Sequence, residues 1–470
     1  MSQTKQLATS LTSLASDIVS RAQHAGASDA EVTIREGDEF STTVRMGQVE
    51  TLKESGSRGM GLRVLVAGAN GYRTASTTTS DFSEEGIAHL VTGAIALARV
   101  TSEDPFAGLA APEEFGSIVG ENGVADLALY YDDVYSLPTA DRIDYARRAE
   151  AAALAPSSST MATRITNSDG GSFDAATGRK IFANSRGFSG QYRASSCSIS
   201  ASPIALGKSG EMQRDYWYTY ARTLAKLDPP ESVGAEAARR TLRRLDARRV
   251  KTQQVPLVFD REIARSLVGA IFSAATGDSI YREASFFTGK LGQQVADASV
   301  TVIDDGTIPG GFGTSPFDGE GLPSRRTVIV ENGVLANYLL NTYTARKLGM
   351  KSTGNASRGL AGNPGTGAGN LYLAPGTQSL EAILRAVPSG LYVTELMGQG
   401  VNMVTGDYSR GASGLWIENG ELTYPVQEIT IAGNLKEMFR NITAIANDLE
   451  FRGSTASPTL RIDGMTIAGE

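Results

Sequence analysis

The sequence predicts an α+β protein, with an N-terminal domain of helices on antiparallel sheet and a C-terminal domain of mainly antiparallel β hairpins with a few helices. Three observations carry this. Asn332-Gly333 and Asn419-Gly420 each follow a Glu and sit between alternating apolar runs. An Asn-Gly pair in that setting is the strongest short-range hairpin signal, because a type I′ turn needs positive φ at both centres. Capped helical stretches alternate with strand patterns in the first half, the signature of helices laid on a sheet. Finally, 52 glycines against 16 prolines point to many tight turns, and 470 residues exceed one ordinary core.

In chain order, Leu7, Leu11, Leu14 and Ile18 fall at helical spacing, giving an amphipathic first helix that Gly26 ends. Glu31–Arg35 and Thr42–Arg45 alternate as strands, and Leu62–Val66 meets Tyr72–Thr74 through Asn70-Gly71. Ser83 opens a helix to Arg99, with Glu84 and Glu85 suiting the helix dipole. Thr139 or Asp141 caps a helix to Leu154, followed by strands at 180–184, 188–200 and 214–224. The Pro229-Pro230 pair cannot continue a helix or a central strand. The expected division is therefore residues 1–225, a linker at 226–234, and residues 235–470. A helix at 235–249 opens the second part, which continues with a strand at 254–259, a helix at 261–275 and a glycine-rich sheet system to Leu373. A short helix at 379–386 follows. Strands at 391–397 and 415–428 flank a glycine-rich loop, a helix spans 436–447, and two strands close the chain. The two Glu-Asn-Gly hairpins suggest one sheet system.

A net charge of −7 and a pI near 5.3 oppose bulk attraction to nucleic acid or to an anionic membrane surface. The one cysteine, Cys197, allows no intrachain disulfide and fits a reducing compartment. No apolar run is long enough to cross a bilayer, so the expected location is cytoplasmic.

Chemistry is constrained by what the chain lacks. Its only histidines are His24 and His89, both in helical patterns where packing or helix-end roles suffice, and a histidine zinc site needs several converging ligands. There is no His-Glu-x-x-His, Cys-x-x-Cys, Gly-x-Ser-x-Gly or Walker loop. Asp304, Asp305, Asp318, Glu320, Glu395 and Asp407 are oxygen donors of the kind that hold magnesium or calcium, but Asp-Gly pairs are also what turns require. Arg325, Arg326 and Arg410 suit either a carboxylate clamp or ion pairs. Arg239, Arg240, Arg243, Arg244, Arg248 and Arg249 suit a nucleic-acid patch or, more plainly, a solvated helix face. The loop carrying Gln399, Asp407, Tyr408 and Arg410 is too rich in permissive and hydrogen-bonding residues for a plain connection, and is where a partner or substrate would be met.

Several segments together resemble the TldD/PmbA family: Gly289–Gln293, Asp305–Gly310, Phe317–Arg325, Gly349–Arg358 with Ser352–Asn355 inside it, Gly398–Asn402, Gly406–Gly411, Ile431–Leu435, Asn447–Glu450 and Arg452–Ser454. The second half is covered densely and the first more loosely, and the likeness is greater to the PmbA (TldE) branch. The resemblance implies a cytoplasmic two-subunit metallopeptidase acting on unfolded or flexible peptides, including precursors of peptide antibiotics. It implies a TldD-type partner carrying zinc on a His-Glu-x-x-x-His helix. Counting back from Gly289, that motif falls here near Val268–Ser273, where no side chain replaces a histidine or the glutamate. The expectation is a non-catalytic subunit with no catalytic, metal or cofactor residue of its own, able to form a homodimer without its partner. The alternatives are a self-sufficient carboxylate-metal hydrolase and a regulator associated with DNA gyrase or nucleic acid.

Overall fold

The computed structural model describes residues 2–116, 127–155 and 164–469. The first part is built on seven strands: β1 (Asp29–Arg45), β2 (Gln48–Ala67), β3 (Tyr72–Thr79), β4 (Ile165–Asn184), β5 (Ser189–Leu206), β6 (Met212–Arg214) and β7 (Trp217–Ala221). They form one antiparallel sheet in the order β3-β2-β1-β4-β5-β6, with β7 also on β5. The helices α1 (Ser2–His24) and α2 (Glu84–Val100) bury Ala15, Ile18, Leu90 and Ile95 against Val32, Ile34, Leu62 and Val64. Leu11 is buried in the same layer, while the side chain of Leu7 lies outside the described residues. Ser83 caps α2 as expected, accepting from the Gly86 amide.

Farther along come α3 (Asp133–Ser136), α4 (Thr139–Leu154) and α5 (Pro230–Leu242); Val134 of α3 and alanines of α4 and α5 share a core with Phe173, Cys197 and Ile199. The approach is close enough that a Cβ on Gly171 would lie 2.2 Å from the Ala146 carbonyl oxygen. Burial pushes the Cys197 thiol up to about 12, so it is packing rather than a nucleophile.

Three local expectations need correction. The two short strands expected within 31–45 are one strand, β1, which turns into β2 at Met46 (φ 48°) and Gly47 (φ 77°). Methionine is no turn former, and the turn is held by the Glu150 carboxylate, which accepts from both amides at 2.7 and 2.9 Å. The cap of α4 is Pro138 rather than Thr139 or Asp141. The helix expected at 235–249 is α5, starting at Pro230 and ending at Leu242; Pro229 and Pro230 occupy its N-cap and first position, where a missing N–H costs nothing. α5 lies on α4 and β5, so residues 230–242 pack with the first sheet.

The second part comprises β8 (Gln253–Phe259), α6 (Arg261–Ala275), α7 (Gly277–Tyr281), β9 (Val302–Asp305), β10 (Arg326–Glu331), β11 (Val334–Leu335), α8 (Thr342–Leu348), β12 (Ala356–Ser357), β13 (Gly365–Thr366), β14 (Asn370–Leu373), α9 (Leu380–Arg385), β15 (Ser389–Met397), β16 (Asp407–Glu418), β17 (Glu421–Asn434), α10 (Leu435–Arg440), β18 (Ile442–Ile445), β19 (Thr455–Ala456) and β20 (Leu460–Ala468). The path β17-β16-β15-β8-β20 closes on itself because β17 also pairs with β20. A separate sheet runs β11-β10-β9-β14-β19. β8–β15 and β14–β19 are parallel, and the other pairings are antiparallel. Leu267, Val268 and Ile271 of α6 share the large core with Val302 and Leu371 of one sheet and Leu391 and Val393 of the other.

Both Asn-Gly turns form as predicted, with φ of 48° and 81° at Asn332-Gly333 and 50° and 84° at Asn419-Gly420. They belong to different sheets, however, not to one system. β16 begins at Asp407 rather than Leu415, so Asp407–Arg410 are strand residues and the loop is confined to 398–406. The helix expected at 436–447 stops at Arg440, where the chain turns into β18.

The two parts are joined through Phe182 and Phe188 against Phe317 and Leu322, through Tyr220 stacked on Phe312 at 4.0 Å, and through a hydrogen bond from Tyr343 to Asp104 at 2.9 Å.

Candidate functional site

α6 presents Glu262, Arg265, Ser266 and Gly269, one helical face, to an open groove of about 500 Å³ that Leu396, Arg410 and residues 453–455 complete. The helix is fixed at its start by Asp260, which accepts from the Glu262 amide and from the Tyr392 hydroxyl at 2.6 Å. Arg265 donates to the Tyr218 hydroxyl at 3.2 Å and lies 3.5 Å from Glu262. Val268 and Ile271, within the stretch 268–273 singled out above, point instead into the core.

Of the four loop residues, Arg410 alone lines the groove. Asp407 accepts from the Thr405 hydroxyl at 2.6 Å and from Asn434 at 3.1 Å, fastening the 398–406 loop to the end of β17. These contacts hold its carboxyl below the usual range. Tyr408 is buried, bridges to Val401, and has its phenol pushed up to about 12 by burial. Gln399 is exposed at the start of the loop. The four do not form one cluster, and the groove residues of α6 carried no signal in the sequence beyond an amphipathic helix.

Two of the carboxylates, Asp304 and Asp318, line a polar cavity of about 200 Å³ between β4 and the segments at 304–325 and 354–369. Asp318 accepts from the amides of Glu320, Leu322 and Ala356 at 2.8 to 3.0 Å. Glu320 accepts from the amide and hydroxyl of Thr342 at 2.9 and 2.6 Å, and Asp304 from Asn355 and from the Gly369 amide, both at 2.7 Å. Burial raises Asp304 and Asp318 to about 6, and burial together with the Asp318 charge raises Glu320 to about 7. Asp305 is taken up by Thr307. Each carboxylate is thus an organiser of glycine-rich loops. Beside the cavity Glu31 is buried between Arg63, at 2.7 Å, and Arg358, which tie the first sheet to the 358 loop.

Among the described residues no three His, Cys, Asp or Glu side chains are grouped to hold a metal ion. The donor set also argues against one in the groove, where Arg265 and Arg410 flank Glu262 and no imidazole or thiolate is present. A zinc centre does not fit these residues.

The arginine-rich stretch is a solvated face only in part: Arg239, Arg248 and Arg249 are exposed, Arg243 and Arg244 half-buried and Arg240 buried. Arg239 pairs with Glu236 at 2.7 Å, and Arg240 is buried beside Asp215 and over the Trp217 ring. Arg244 bonds Glu395 at 2.6 Å, Arg249 bonds Glu428, and Arg248 lies over Tyr424. Arg240, Arg244, Arg248 and Arg249 hold α5 and the segment after it against the strands, while the Arg239 pair stays within its own helix, and the arrangement favours packing over phosphate binding.

Comparison with known proteins accords with this architecture. Family models described as PmbA/TldA metallopeptidase domain 1, central domain and C-terminal domain match residues 30–98, 132–245 and 252–469. The chain is 40% identical to Metalloprotease PmbA of Escherichia coli O157:H7 over 95% of its length and 93% of that protein's. It is 37% identical to a PmbA homolog of Haemophilus influenzae over 96% and 94%. A Bacteroides thetaiotaomicron crystal structure named for modulation of DNA gyrase superposes with a TM-score of 0.87 at 27% identity, covering 97% and 98% of the two chains. TldE from Thermococcus kodakarensis, 19% identical, shares the fold with a TM-score of 0.84 over 97% and 99%. With all three domain models matched in order and the PmbA proteins aligned along almost the whole chain, the protein belongs to the PmbA/TldD metallopeptidase family, on its PmbA side.

Proposed function

We propose that this chain is the non-catalytic subunit of a two-subunit metallopeptidase, pairing with a TldD-type chain that holds the zinc and acting in the cytoplasm on unfolded or extended peptides. The observation that carries the reading is the groove face of α6, which is built from Glu262, Arg265, Ser266 and Gly269 and offers no metal-ligating pair. The subunit's contribution is then a wall: it shapes the chamber in which the partner's metal works and holds peptide main chain. An open strand edge supports this role. β3 covers β2 only from Met60 onward, leaving Gln48–Arg58 exposed, and such an edge accepts an extended peptide without demanding a sequence.

Arg410 lines the groove beside the loop, which supports assigning it the contact with partner or substrate. Arg410→Ala, mixed with the TldD-type chain, is expected to lower peptide turnover or assembly about tenfold, the scale of one charge-assisted contact. Light scattering of the mixture and a fluorescent-peptide assay read the two effects separately. Wild-type assembly together with wild-type turnover would remove Arg410 from the role.

A further inference from the structure

Pairing register sets up the cavity between the two parts. Arg35 lies opposite Lys180, and Lys180 opposite Tyr192, so three neighbouring strands place these side chains in one row. Directly opposed like charges destabilise a sheet. Arg35 is nonetheless beside Lys180 here, and Arg325 and Arg358 line the same cavity. Arg358 is neutralised by Glu31, and opposing the other three cations are Asp304 and Asp318, whose oxygens are already engaged by backbone amides and Asn355. The Lys180 ammonium lies 5.8 Å from the Phe317 ring centroid and 6.0 Å from that of Tyr192, and among the described residues it forms no ion pair. In a protein of net charge −7, this is a local excess of positive charge held in a partly enclosed space.

We propose that this cavity binds a small oxyanion, a carboxylate or a phosphate, seated on the Lys180 ammonium at depth and on the Arg35 and Arg325 guanidinium groups at the mouth. Such an anion supplies the counter-charge that the protein leaves out. Nothing in the proposal depends on the peptidase partner.

Protonation fixes how binding responds to pH. Burial, with Arg35 and Arg358 nearby, pushes Lys180 down to about 8 against the pull of Asp318. Asp304 and Asp318 lose their repulsion for an anion only as they take up protons near pH 6. Affinity therefore falls steadily between about pH 6 and about pH 9.

The test is isothermal titration calorimetry of the full chain with inorganic phosphate and, separately, with glutarate, each to about 10 mM. Saturable binding of either anion is expected, weakened about tenfold or more in Lys180→Met and in Arg325→Gln. Binding of glutarate alone assigns the site to carboxylates, and binding of phosphate alone assigns it to phosphates. Arg325 is exposed, so its variant reports on binding even if Lys180→Met fails to fold. No saturable heat with either anion, or unchanged affinity in both variants, would overturn the proposal.

Discussion

The α6 groove and the inter-domain cavity divide the work of this molecule unequally. The cavity holds many of the segments by which the family resemblance is read, including Asp305–Gly310, Phe317–Arg325 and Ser352–Asn355, and its carboxylates and Asn355 are buried and committed to loop contacts. The groove is wider and more open, and its helix face is chemically plain. The difference teaches that the densest sequence signature marks the place where loops are hardest to fold. The groove proposed to meet peptide or partner is instead shaped by residues that say little in the sequence.

Substitutions sharpen the contrast. The largest effect is expected beside the cavity, where Glu31→Ala would leave the buried guanidinium groups of Arg63 and Arg358 uncompensated. A loss of about 3 to 5 kcal/mol in urea denaturation is predicted, and a loss below about 1 kcal/mol would mean that this cluster does not fasten the two parts together. Phe317→Ala follows, removing a fully buried ring packed edge-on against Phe188 at 5.0 Å, with about 3 kcal/mol expected.

Glu320→Gln is smaller and depends on pH. Because burial raises Glu320 from 4.5 to about 7, the folded chain keeps a proton there that the unfolded chain has released, and stability contributed at this position falls as pH rises through that window. Glutamine can still accept from Thr342. The variant should therefore match the wild type near pH 5 and exceed it in melting temperature near pH 8; a constant difference across that range would contradict the assignment. Ser266→Ala in the groove should be least felt, within about 0.5 kcal/mol, since its exposed hydroxyl bonds only the Ile263 carbonyl of its own helix. A comparable cost in the groove and the cavity would break the comparison.

Much of the local structure was legible in the sequence because its signals are local. Ser83 and Ser379 cap their helices, and both Asn-Gly pairs turn with positive φ. What escaped depends on contacts distant in sequence. The Met46-Gly47 turn relies on Glu150, closure of the barrel relies on β17 meeting β20, and the proline pair opens α5 because α4 and β5 await it. For the site, Asp304, Asp318 and Glu320 were visible as turn formers, and that is how they are used. The placing of Asp304 and Asp318 around the cavity that Lys180 lines was not visible, because a lysine in a strand reads as a solvent-facing residue until the register brings Arg35 and Tyr192 alongside it.

The most direct test of the central claim is turnover of an unfolded peptide substrate, with metal analysis, by this chain alone, by a TldD-type chain alone and by their mixture. The account predicts no turnover and no stoichiometric zinc in this chain alone, zinc wherever the TldD-type chain is present, and the highest rate in the mixture. Chelator-sensitive turnover by this chain alone would contradict it.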